Sequence, residues 1–441
     1  MGAFNEWVRL GVVYPLAEKV KHTNSMVWYR RIQEMNTWDK TQIRAWQENQ
    51  LQRIVDQAYN HTVYWRRIFD ESGLKPSDIR TFEDLKKLPV ITKDDIRAHY
   101  QELIADNASQ FRYRISKTGG TTGEPMQYLD AEDVWGYVSA NKIIAWHTTG
   151  YRFGDPFMAL GSASIFKKKA PIVRRILDAI RNERAYNSMN LNDTLCQQYI
   201  DILAKQHIHY VYGYASAIYL LAKYALDHKI DMTHMRVAFT TSENLTDFYR
   251  ETIERAFGCR VMDCYGARDA AVTAYEIRPR EYHLGYSAYV EVADEFEPGN
   301  GTLLSTNLLN MAFPLLRYDF GDAAELDNNC PNYNGQVLHR IYGRTSDVLR
   351  LDNGHVLTSP GFTILMRNFD VKAYDIQKLS GSSVRLQVQV AEGWNKSQEA
   401  KLIAEMQRFV GEGCDFSLNY VDHFEPLKNG KRRYFMNDLS K

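Results

Sequence analysis

The spacing of apolar residues divides the 441-residue chain into a helical opening, a long middle part and a different final part. In the opening, between about residues 38 and 105, apolar side chains recur near helical spacing, as in Ile43, Trp46, Leu51, Ile54 and Ala58. This spacing predicts helices joined by short linkers. Thr92 is the expected N-cap of one of them, because Asp94 and Asp95 fall in its first turn.

In the middle part, from about residue 110 to residue 340, strand patterns alternate with helix patterns. The apolar run 237–240 predicts a strand, Gly258 ends the helix that follows, and "RVMDCYG" predicts the next strand. Such alternation predicts parallel βαβ units. Ligands of these sheets bind beyond the carboxyl ends of the strands, where the loops "TSEN" and "YGARD" are expected.

The final part has its own pattern. A strict alternation through Val384, Leu386, Val388 and Val390 predicts a half-buried strand. An amphipathic helix that ends at Gly411 follows it. We therefore predict an α/β protein, with a large N-terminal domain of mixed and parallel sheets and packed helices at residues 1–345. A small α+β domain is expected at residues 346–441, after the joint "GRTSDVLRLDNG".

Composition narrows the class of protein. Lys+Arg and Asp+Glu both number 54, so no net charge attracts nucleic acid, and we expect no nucleic-acid partner. The five cysteines are scattered without a CxxC pair, which favours reduced thiols in a cytoplasmic protein. The apolar N-terminal patch is too short to span a bilayer and lacks a signal-peptide cleavage site, so no leader is expected.

The stretch "SKTGGTTGEP", residues 116–125, is the first candidate for chemistry. Its glycines can present backbone N–H groups to anionic oxygens, and its hydroxyls add donors. It matches neither a Walker A loop nor a dinucleotide fingerprint. Taken alone, it fits a phosphate-binding loop or a plain surface loop.

Four later motifs carry groups that suit nucleotide chemistry. They are "YGARD" (265–269), "LRYDFGD" (316–322), "GRTSD" (343–347) and "NGKRRYF" (429–435). Each also has a structural interpretation. Tyr265 could belong to the core, Asp322 to a turn, Arg344 to a surface ion pair and Lys431 to a solvated basic run.

In this order, the motifs resemble those of the adenylate-forming enzymes, and in particular the phenylacetate–CoA ligase branch and its relatives associated with capsular polysaccharide synthesis. The resemblance covers the chain from about residue 38 to its end. It implies a two-step ligase. A carboxylate first attacks the α-phosphorus of ATP to give acyl-AMP and pyrophosphate, and a thiol or amine then displaces AMP.

The resemblance implies ATP and Mg²⁺ as cofactors and CoA as the default acceptor of a small carboxylic acid. Transfer to an amine in polysaccharide synthesis is one alternative, and a non-catalytic nucleotide-binding protein of such a pathway is another. The small C-terminal domain would be a mobile lid that carries the catalytic lysine.

The resemblance also implies roles for individual residues. The β- and γ-phosphates would be held by Thr118, Gly119, Gly120, Thr121, Thr122 and Gly123. The adenine would be flanked by Ser242, Glu243, Tyr265 and Gly266. Asp322 would hold the ribose, Arg344 would act near the ribose and phosphates, and Lys431 would bridge the carboxylate and the α-phosphate. Mg²⁺ would be bound by Asp269 and Thr122. The acid pocket would be lined by Tyr214, Ala215, Ser216, Trp146 and His147.

The sequence departs from the family pattern at three positions. Glu124 stands where many relatives have Lys, which removes a cation near the phosphates. Asp269 stands where Glu is usual, so the carboxylate is one methylene shorter. Ser346 occupies the hinge, where Asp or Lys is common.

The segment 167–184 is a separate basic feature. Its apolar residues share a helical face, and seven cations surround them: Lys167, Lys168, Lys169, Arg174, Arg175, Arg181 and Arg184. One interpretation is a core helix with a solvated basic side. The other is contact with an anionic membrane, a lipid-linked sugar or the phosphates of CoA. A cytoplasmic protein peripheral to the inner membrane face would follow from a membrane contact.

Overall fold

The structure, a computed structural model, describes most of the chain. The described residues are 3–21, 23–118, 126–161, 172–188, 191–243, 245, 247–344, 348–352, 356–358, 365–366, 369–379, 383–391, 393–411, 413–422 and 435–437.

The opening part is helical, as predicted. Its α-helices are α1 (Ala3–Val8), α2 (Tyr14–Lys21), α3 (Ser25–Met35), α4 (Lys40–His61), α5 (Val63–Glu71), α6 (Lys93–Ala98) and α7 (Tyr100–Leu103). The π-helical turn Arg9–Val13 joins α1 to α2, and short 3-10 turns lie at Pro76–Asp78, Glu83–Lys87 and Ala108–Gln110.

Two local predictions in this part are confirmed. The buried face of α4 includes Ile43, Leu51, Ile54 and Ala58. Thr92 caps α6: its side chain accepts a hydrogen bond from the Asp95 N–H, and the Asp95 side chain reaches back to Thr92. This reciprocal pair satisfies backbone donors that the first helical turn would otherwise leave open.

A hairpin and a long sheet follow. The hairpin pairs β1 (Tyr113–Lys117) with β2 (Gln127–Ala131). The described strands of the sheet number eleven, in the order β10-β11-β12-β13-β9-β8-β7-β6-β5-β3-β4. Their bounds are β3 (Phe157–Gly161), β4 (Glu183–Asn187), β5 (Tyr210–Tyr214), β6 (Val237–Thr241), β7 (Arg260–Ala267), β8 (Val272–Arg278), β9 (Glu281–Leu284), β10 (Ala288–Glu297), β11 (Asn300–Asn307), β12 (Tyr318–Asp327) and β13 (Val337–Arg344).

The predicted parallel βαβ arrangement holds for β3 to β7, which pair in parallel. From β7 onward the strands pair antiparallel, and no helix of the described residues connects consecutive strands in this half. The helices of the parallel half are α8 (Glu132–His147), α9 (Ile172–Arg181), α10 (Asp193–Lys205), α11 (Ala215–Asp227) and α12 (Asp247–Phe257).

Helices cover both faces of the parallel half. One face packs Leu203, Ile218 and Phe257 against the sheet. On the other face, Trp146 of α8 stacks on Phe239 of β6 at 4.0 Å between ring centroids. A larger core joins the opening helices to the antiparallel half.

The final part has its own core. It contains β14 (Val348–Arg350), β15 (Val356–Thr358), β16 (Val371–Lys378), β17 (Ser383–Val390), α13 (Lys396–Val410), β18 (Asp415–Tyr420) and β19 (Phe435–Asn437). Val384, Leu386 and Val388 are buried, as their alternation predicts, and α13 ends at Gly411 with φ 81°. Because residues 345–347 lie outside the described residues, the domain boundary at 345 stays a prediction.

All five cysteines are free thiols in the structure, and Cys196, Cys264 and Cys330 are buried. None of the described helices is long and apolar enough to cross a bilayer.

Candidate active site

A carboxylate, a phenol and a guanidinium from three interior strands of the sheet, β12, β7 and β13, meet in the structure. The Tyr265 hydroxyl donates to Asp322 Oδ2 at 2.7 Å, and Arg344 Nε lies 3.2 Å from Asp322 Oδ1. Strand register explains the second contact, because Asp322 of β12 and Arg344 of β13 are directly paired. The structure therefore brings together residues of three predicted motifs.

Burial shapes the charge of this cluster. It raises the pKa of Asp322, whereas Arg344 and the hydrogen bond from Tyr265 act in the opposite direction. The proximity of Asp322 raises the pKa of Arg344 against the effect of its own burial. A carboxylate offers about four acceptor positions, so Asp322 can accept further hydroxyl donors.

Asp269 lies beside this cluster. The Tyr318 hydroxyl donates to Asp269 Oδ2 at 2.7 Å, and Asp269 also contributes to raising the pKa of Arg344. Its other oxygen, Oδ1, makes no hydrogen bond with the described residues. Mg²⁺ in nucleotide sites usually takes one or two carboxylates together with substrate phosphates and water, and Asp269 fits that role.

Sequence reasoning missed Lys93. This first residue of α6 donates from Nζ to the Phe320 carbonyl at 2.8 Å, the same carbonyl to which Arg344 donates at 2.9 Å. Burial and the nearby Arg344 lower the pKa of Lys93, and Asp269 and Asp322 oppose this. Two cations thus converge next to two carboxylates.

The only sequence signal near Lys93 is the cap at Thr92, which locates the start of a helix and not its tertiary neighbours. A backbone bridge between Ile91 and Tyr318 brings α6 to β12. The periodicity of apolar residues within a segment does not indicate such a long-range contact.

The stem of the glycine-threonine loop adjoins the same cluster. Thr118 N–H donates to Met126 O at 2.9 Å, and Met126 N–H donates back to Thr118 Oγ1 at 3.1 Å. Met126 Sδ lies 3.7 Å from the Tyr318 hydroxyl. Residues 119–125, which include the predicted Gly119, Gly120, Thr121, Thr122 and Gly123, lie outside the described residues.

Asp130, also missed, connects that hairpin to the "YGARD" motif. Its Oδ2 is 2.8 Å from Arg114 Nη2 and 3.1 Å from Arg268 Nε. Arg268 is the direct neighbour of Asp269. This buried carboxylate therefore helps to fix the position of Asp269 relative to the loop stem.

The predicted adenine-flanking residues lie at neighbouring strand ends. Thr241 of β6 is paired with Cys264 of β7, which places Ser242 next to Tyr265 and Gly266. Ser242 has φ 65°, an unusual backbone conformation for a residue with a side chain. Glu243 Oε2 accepts a hydrogen bond from Ser216 N–H at 2.8 Å.

The residues predicted for the acid pocket fall into two groups. Tyr214, Ala215 and Ser216 lie where β5 runs into α11, beside Glu243. His147 is the last residue of α8. Its Nε2 lies 3.1 Å from Glu6 Oε1, and its ring packs edge-on against the ring of Tyr29. Its contacts are thus with the N-terminal helices, and its place in the pocket stays a prediction.

Lys431 and Ser346 lie outside the described residues, so the roles given to them stay predictions. The described residues contain no group of three or more His, Cys, Asp or Glu side chains arranged to hold a metal ion. A metal here would depend on Asp269 together with substrate oxygens.

Known proteins support the resemblance. No family model matches the chain. Protein CapK of Staphylococcus aureus is 24% identical over 420 residues, which cover 93% of this chain and 91% of CapK. The phenylacetate–CoA ligase of Escherichia coli is 24% identical over 364 residues, which cover 76% of this chain and 78% of that ligase.

A solved structure shares the fold. 2-Hydroxyisobutyryl-CoA ligase in its postadenylation state, bound to an acyl-AMP, matches 91% of both chains with a TM-score of 0.67 and 19% identity. A sequence identity of this level shows a shared fold and nothing more. The shared fold confirms the predicted α/β architecture. The chain is thus similar in sequence to CapK and phenylacetate–CoA ligase over most of its length, and in fold to a CoA ligase solved with an acyl-AMP, which supports the resemblance to the adenylate-forming enzymes.

Proposed function

We propose that the protein is an ATP-dependent, AMP-forming ligase that activates a carboxylic acid as an acyl-adenylate and then transfers the acyl group, by default to CoA. The observation that carries this proposal is the cluster of Tyr265, Asp322 and Arg344 beside Asp269 and Lys93. The cluster combines acceptors for a diol with cations for phosphate oxygens.

Each part of the cluster has a task in adenylation. Asp322, oriented by Tyr265, would accept hydrogen bonds from the ribose hydroxyls. Arg344 and Lys93 would meet the phosphate oxygens, where negative charge builds up as the acid carboxylate attacks the α-phosphorus. Fixed donors of this kind stabilise developing charge at little reorganisation cost, and losing one costs on the order of 10²–10³ in rate.

Asp269 would hold Mg²⁺, which would neutralise phosphate charge when bound. The stem closed by Thr118 and Met126 would place the backbone N–H groups of the loop against the β- and γ-phosphates. Lys431 would bridge the attacking carboxylate and the α-phosphate. With these groups, a carboxylate can approach a triphosphate of like charge.

CoA is the proposed acceptor because 2-hydroxyisobutyryl-CoA ligase, whose fold this chain shares, has been solved with an acyl-AMP and CoA together. Transfer to an amine in surface polysaccharide synthesis is the alternative. A non-catalytic nucleotide-binding protein remains the third hypothesis.

Pyrophosphate release from ATP and Mg²⁺ over a panel of aryl, fatty, amino and uronic acids would test the proposal. Each acid is run alone, with CoA and with an amine mixture, against Lys431→Ala. Release that needs one acid and falls in the variant supports adenylation, and the acceptor that accelerates it identifies the second step. ATP binding without release from any acid would favour the non-catalytic hypothesis.

We also propose that the enzyme is cytoplasmic and that it contacts an anionic membrane surface through the 167–184 segment. In the described part of α9, Arg175 is exposed and Ile176 is 52% exposed. The adjoining N-terminal helices expose Trp7 (65%) and Leu16 (57%). Arg181 of α9 donates to the Tyr14 hydroxyl at 2.7 Å, so these helices are in direct contact.

Cations beside exposed Trp and aliphatic side chains are typical of helices that lie in a membrane interface. Co-sedimentation with phosphatidylglycerol vesicles, and with phosphatidylcholine vesicles as the neutral control, would test the contact. Charge reversal of Lys167, Lys168, Lys169, Arg174 and Arg175 should abolish binding to the anionic vesicles. Binding that survives this change would contradict a membrane contact at this segment.

A further inference from the structure

The segment 82–93, here called the crossing segment, reaches the candidate site by passing over three strands of the sheet. Near its start, Phe82 stacks on Tyr289 of β10 with 3.6 Å between the ring centroids. Near its end, Ile91 forms a backbone bridge to Tyr318 of β12. Since β11 lies between β10 and β12, the crossing segment runs from an outer strand of the sheet toward the candidate site.

Arg317, the residue directly before β12, holds the crossing segment with its side chain and its backbone. Its Nη1 donates to the Leu88 carbonyl at 2.6 Å. Its own carbonyl accepts a hydrogen bond from Ile91 N–H at 3.2 Å. One residue therefore attaches the crossing segment to β12 at two points, three residues apart.

The conformation of Arg317 is fixed by partners on two other strands. Nε lies 3.2 Å and 3.3 Å from the two carboxylate oxygens of Glu291 on β10, and the side chains of this pair are 13% and 8% exposed. The Arg317 N–H donates to Thr306 Oγ1 on β11 at 3.1 Å. The planar guanidinium can thus bind the carboxylate with one nitrogen and the Leu88 carbonyl with another.

Short stretches of chain connect Arg317 to the candidate site on both sides. Lys93 lies two residues after Ile91, in the first position of α6. Tyr318 directly follows Arg317, and its hydroxyl donates to Asp269 at 2.7 Å. The placement of Lys93 relative to Asp269 therefore passes through Arg317.

α6 is too short to hold Lys93 in place by itself. The helix contains only six residues, Lys93–Ala98, and helices of this length depend on tertiary contacts for their stability. The position of a charged group matters for rate, because a misplacement of about 1 Å can cost on the order of 10²-fold. The attachment of the crossing segment is thus a condition for the proposed task of Lys93.

We propose that Arg317, held by Glu291, is a positioning residue for Lys93, which it fixes in reach of the phosphate oxygens of the bound nucleotide. This inference rests on the proposed function. It adds a residue that affects the rate without touching a reactant. Arg317 stands in the motif "LRYDFGD", in which the resemblance gives a role to Asp322 alone.

ATP–pyrophosphate exchange in single and double variants would test it. The proteins are wild type, Arg317→Lys, Lys93→Met and the double variant. Lysine keeps the charge beside Glu291 but lacks the planar fork that reaches Glu291 and Leu88 together.

Arg250→Lys, alone and combined with Lys93→Met, is the matched control. Arg250 of α12 donates to both carboxylate oxygens of Glu276 at 2.7 Å, and this buried pair lies outside the crossing segment. The control measures what the loss of a buried Arg–Glu pair does to the rate through stability alone.

Arg317→Lys should lower kcat on the order of tenfold and change the KM for ATP by less than about threefold, since Lys93 is displaced but not removed. In the Lys93→Met background, the same change should lower kcat by less than about twofold. Arg250→Lys should have the same effect in both backgrounds. Equal losses of kcat from Arg317→Lys in the two backgrounds would overturn the inference, as would no loss in either.

A second variant provides the test if Arg317→Lys does not fold. Glu291→Gln leaves Arg317 in place but removes the charge that orients its guanidinium. It should lower kcat in the wild-type background and have little effect in the Lys93→Met background. A loss that does not depend on Lys93 would overturn the inference here too.

Hydrogen–deuterium exchange of backbone amides separates this inference from the proposed function. In Arg317→Lys, the amides of residues 90–96 should exchange about tenfold faster or more, because the crossing segment opens more often, whereas Arg250→Lys should leave them unchanged. If no acid supports ATP–pyrophosphate exchange but these amides exchange faster, the proposed function fails and the attachment by Arg317 stands. If acid-dependent ATP–pyrophosphate exchange proceeds and these amides are unaffected, the inference fails and the proposed function stands.

Discussion

Tyr265 and Asp322 lie 57 residues apart in the chain, and a hydrogen bond of 2.7 Å joins them. The phenol orients one carboxylate oxygen, and Arg344 lies 3.2 Å from the other. The proposed nucleotide site is built on this relationship. Its residues come from three strands, β7, β12 and β13.

Replacing Asp322 by Asn should abolish most of the acid-dependent pyrophosphate exchange. The Asn side chain has the same shape, but its amide lacks the negative charge and one of the two acceptor oxygens of the carboxylate that would accept hydrogen bonds from the ribose hydroxyls. We therefore expect a loss on the order of 10²–10³ in kcat/KM for ATP. Steady-state exchange kinetics measure this loss. Glu325→Gln, on the same strand but outside the cluster, is the matched control and should leave the rate unchanged.

Tyr265→Phe should have a smaller effect. The ring remains, but the hydrogen bond to a charged group is lost, and such bonds contribute about 1.5–3 kcal/mol. We expect roughly a tenfold or greater rise in KM for ATP and a melting temperature that falls by a few degrees. Wild-type kinetics in this variant would show that the hydroxyl does not position Asp322.

Lys93→Met should lower kcat on the order of 10²-fold, because a cation that would face the phosphate oxygens is removed. Lys87→Met is the control: Lys87 lies in the preceding 3-10 turn and pairs with Asp84 at 2.7 Å. Lys93→Arg should restore part of the rate. If Lys93→Met and Lys87→Met gave the same kinetics, Lys93 would have no place in the site.

The sequence predicts those elements of the fold that are determined by residues close together in the chain. The face of α4, the cap at Thr92 and the alternation around Leu386 follow from periodicity within a few turns or one strand, and the structure confirms them. The sequence predicts a mixed sheet but not which strands pair antiparallel. The antiparallel strands carry no connecting helices that would indicate their pairing.

The same distinction applies to the residues of the candidate site. Tyr265, Asp322 and Arg344 stand in motifs, so the resemblance named them, and the structure brings them together. Lys93 and Asp130 stand in no motif. Lys93 reaches Phe320 across 227 residues, and Asp130 ties Arg268 to a hairpin more than a hundred residues earlier. Only the folded chain shows such contacts.

A buried carboxyl near the site gives a prediction for stability against pH. Burial raises the pKa of Asp263 from 3.8 to about 6, although hydrogen bonds from Thr240 and Tyr282 oppose the rise. Since the folded state holds this proton more tightly than the unfolded state, the group stabilises the fold at low pH. That contribution is lost as pH rises from about 4 to about 6.

Asp263→Asn should remove this pH dependence. The amide has no proton to lose, so its free energy of unfolding should fall less between pH 4 and pH 7 than that of wild type, by about 1–3 kcal/mol. Urea unfolding at both pH values measures the difference. Parallel profiles for the two proteins would contradict a raised pKa at Asp263.

The most direct test of adenylation is acid-dependent ATP–pyrophosphate exchange, measured side by side in wild type, Asp322→Asn and Glu325→Gln. The proposal predicts exchange that requires one class of acid, falls on the order of 10²–10³ in Asp322→Asn and persists in Glu325→Gln. Exchange that is insensitive to Asp322 would contradict the assignment of this cluster to the nucleotide.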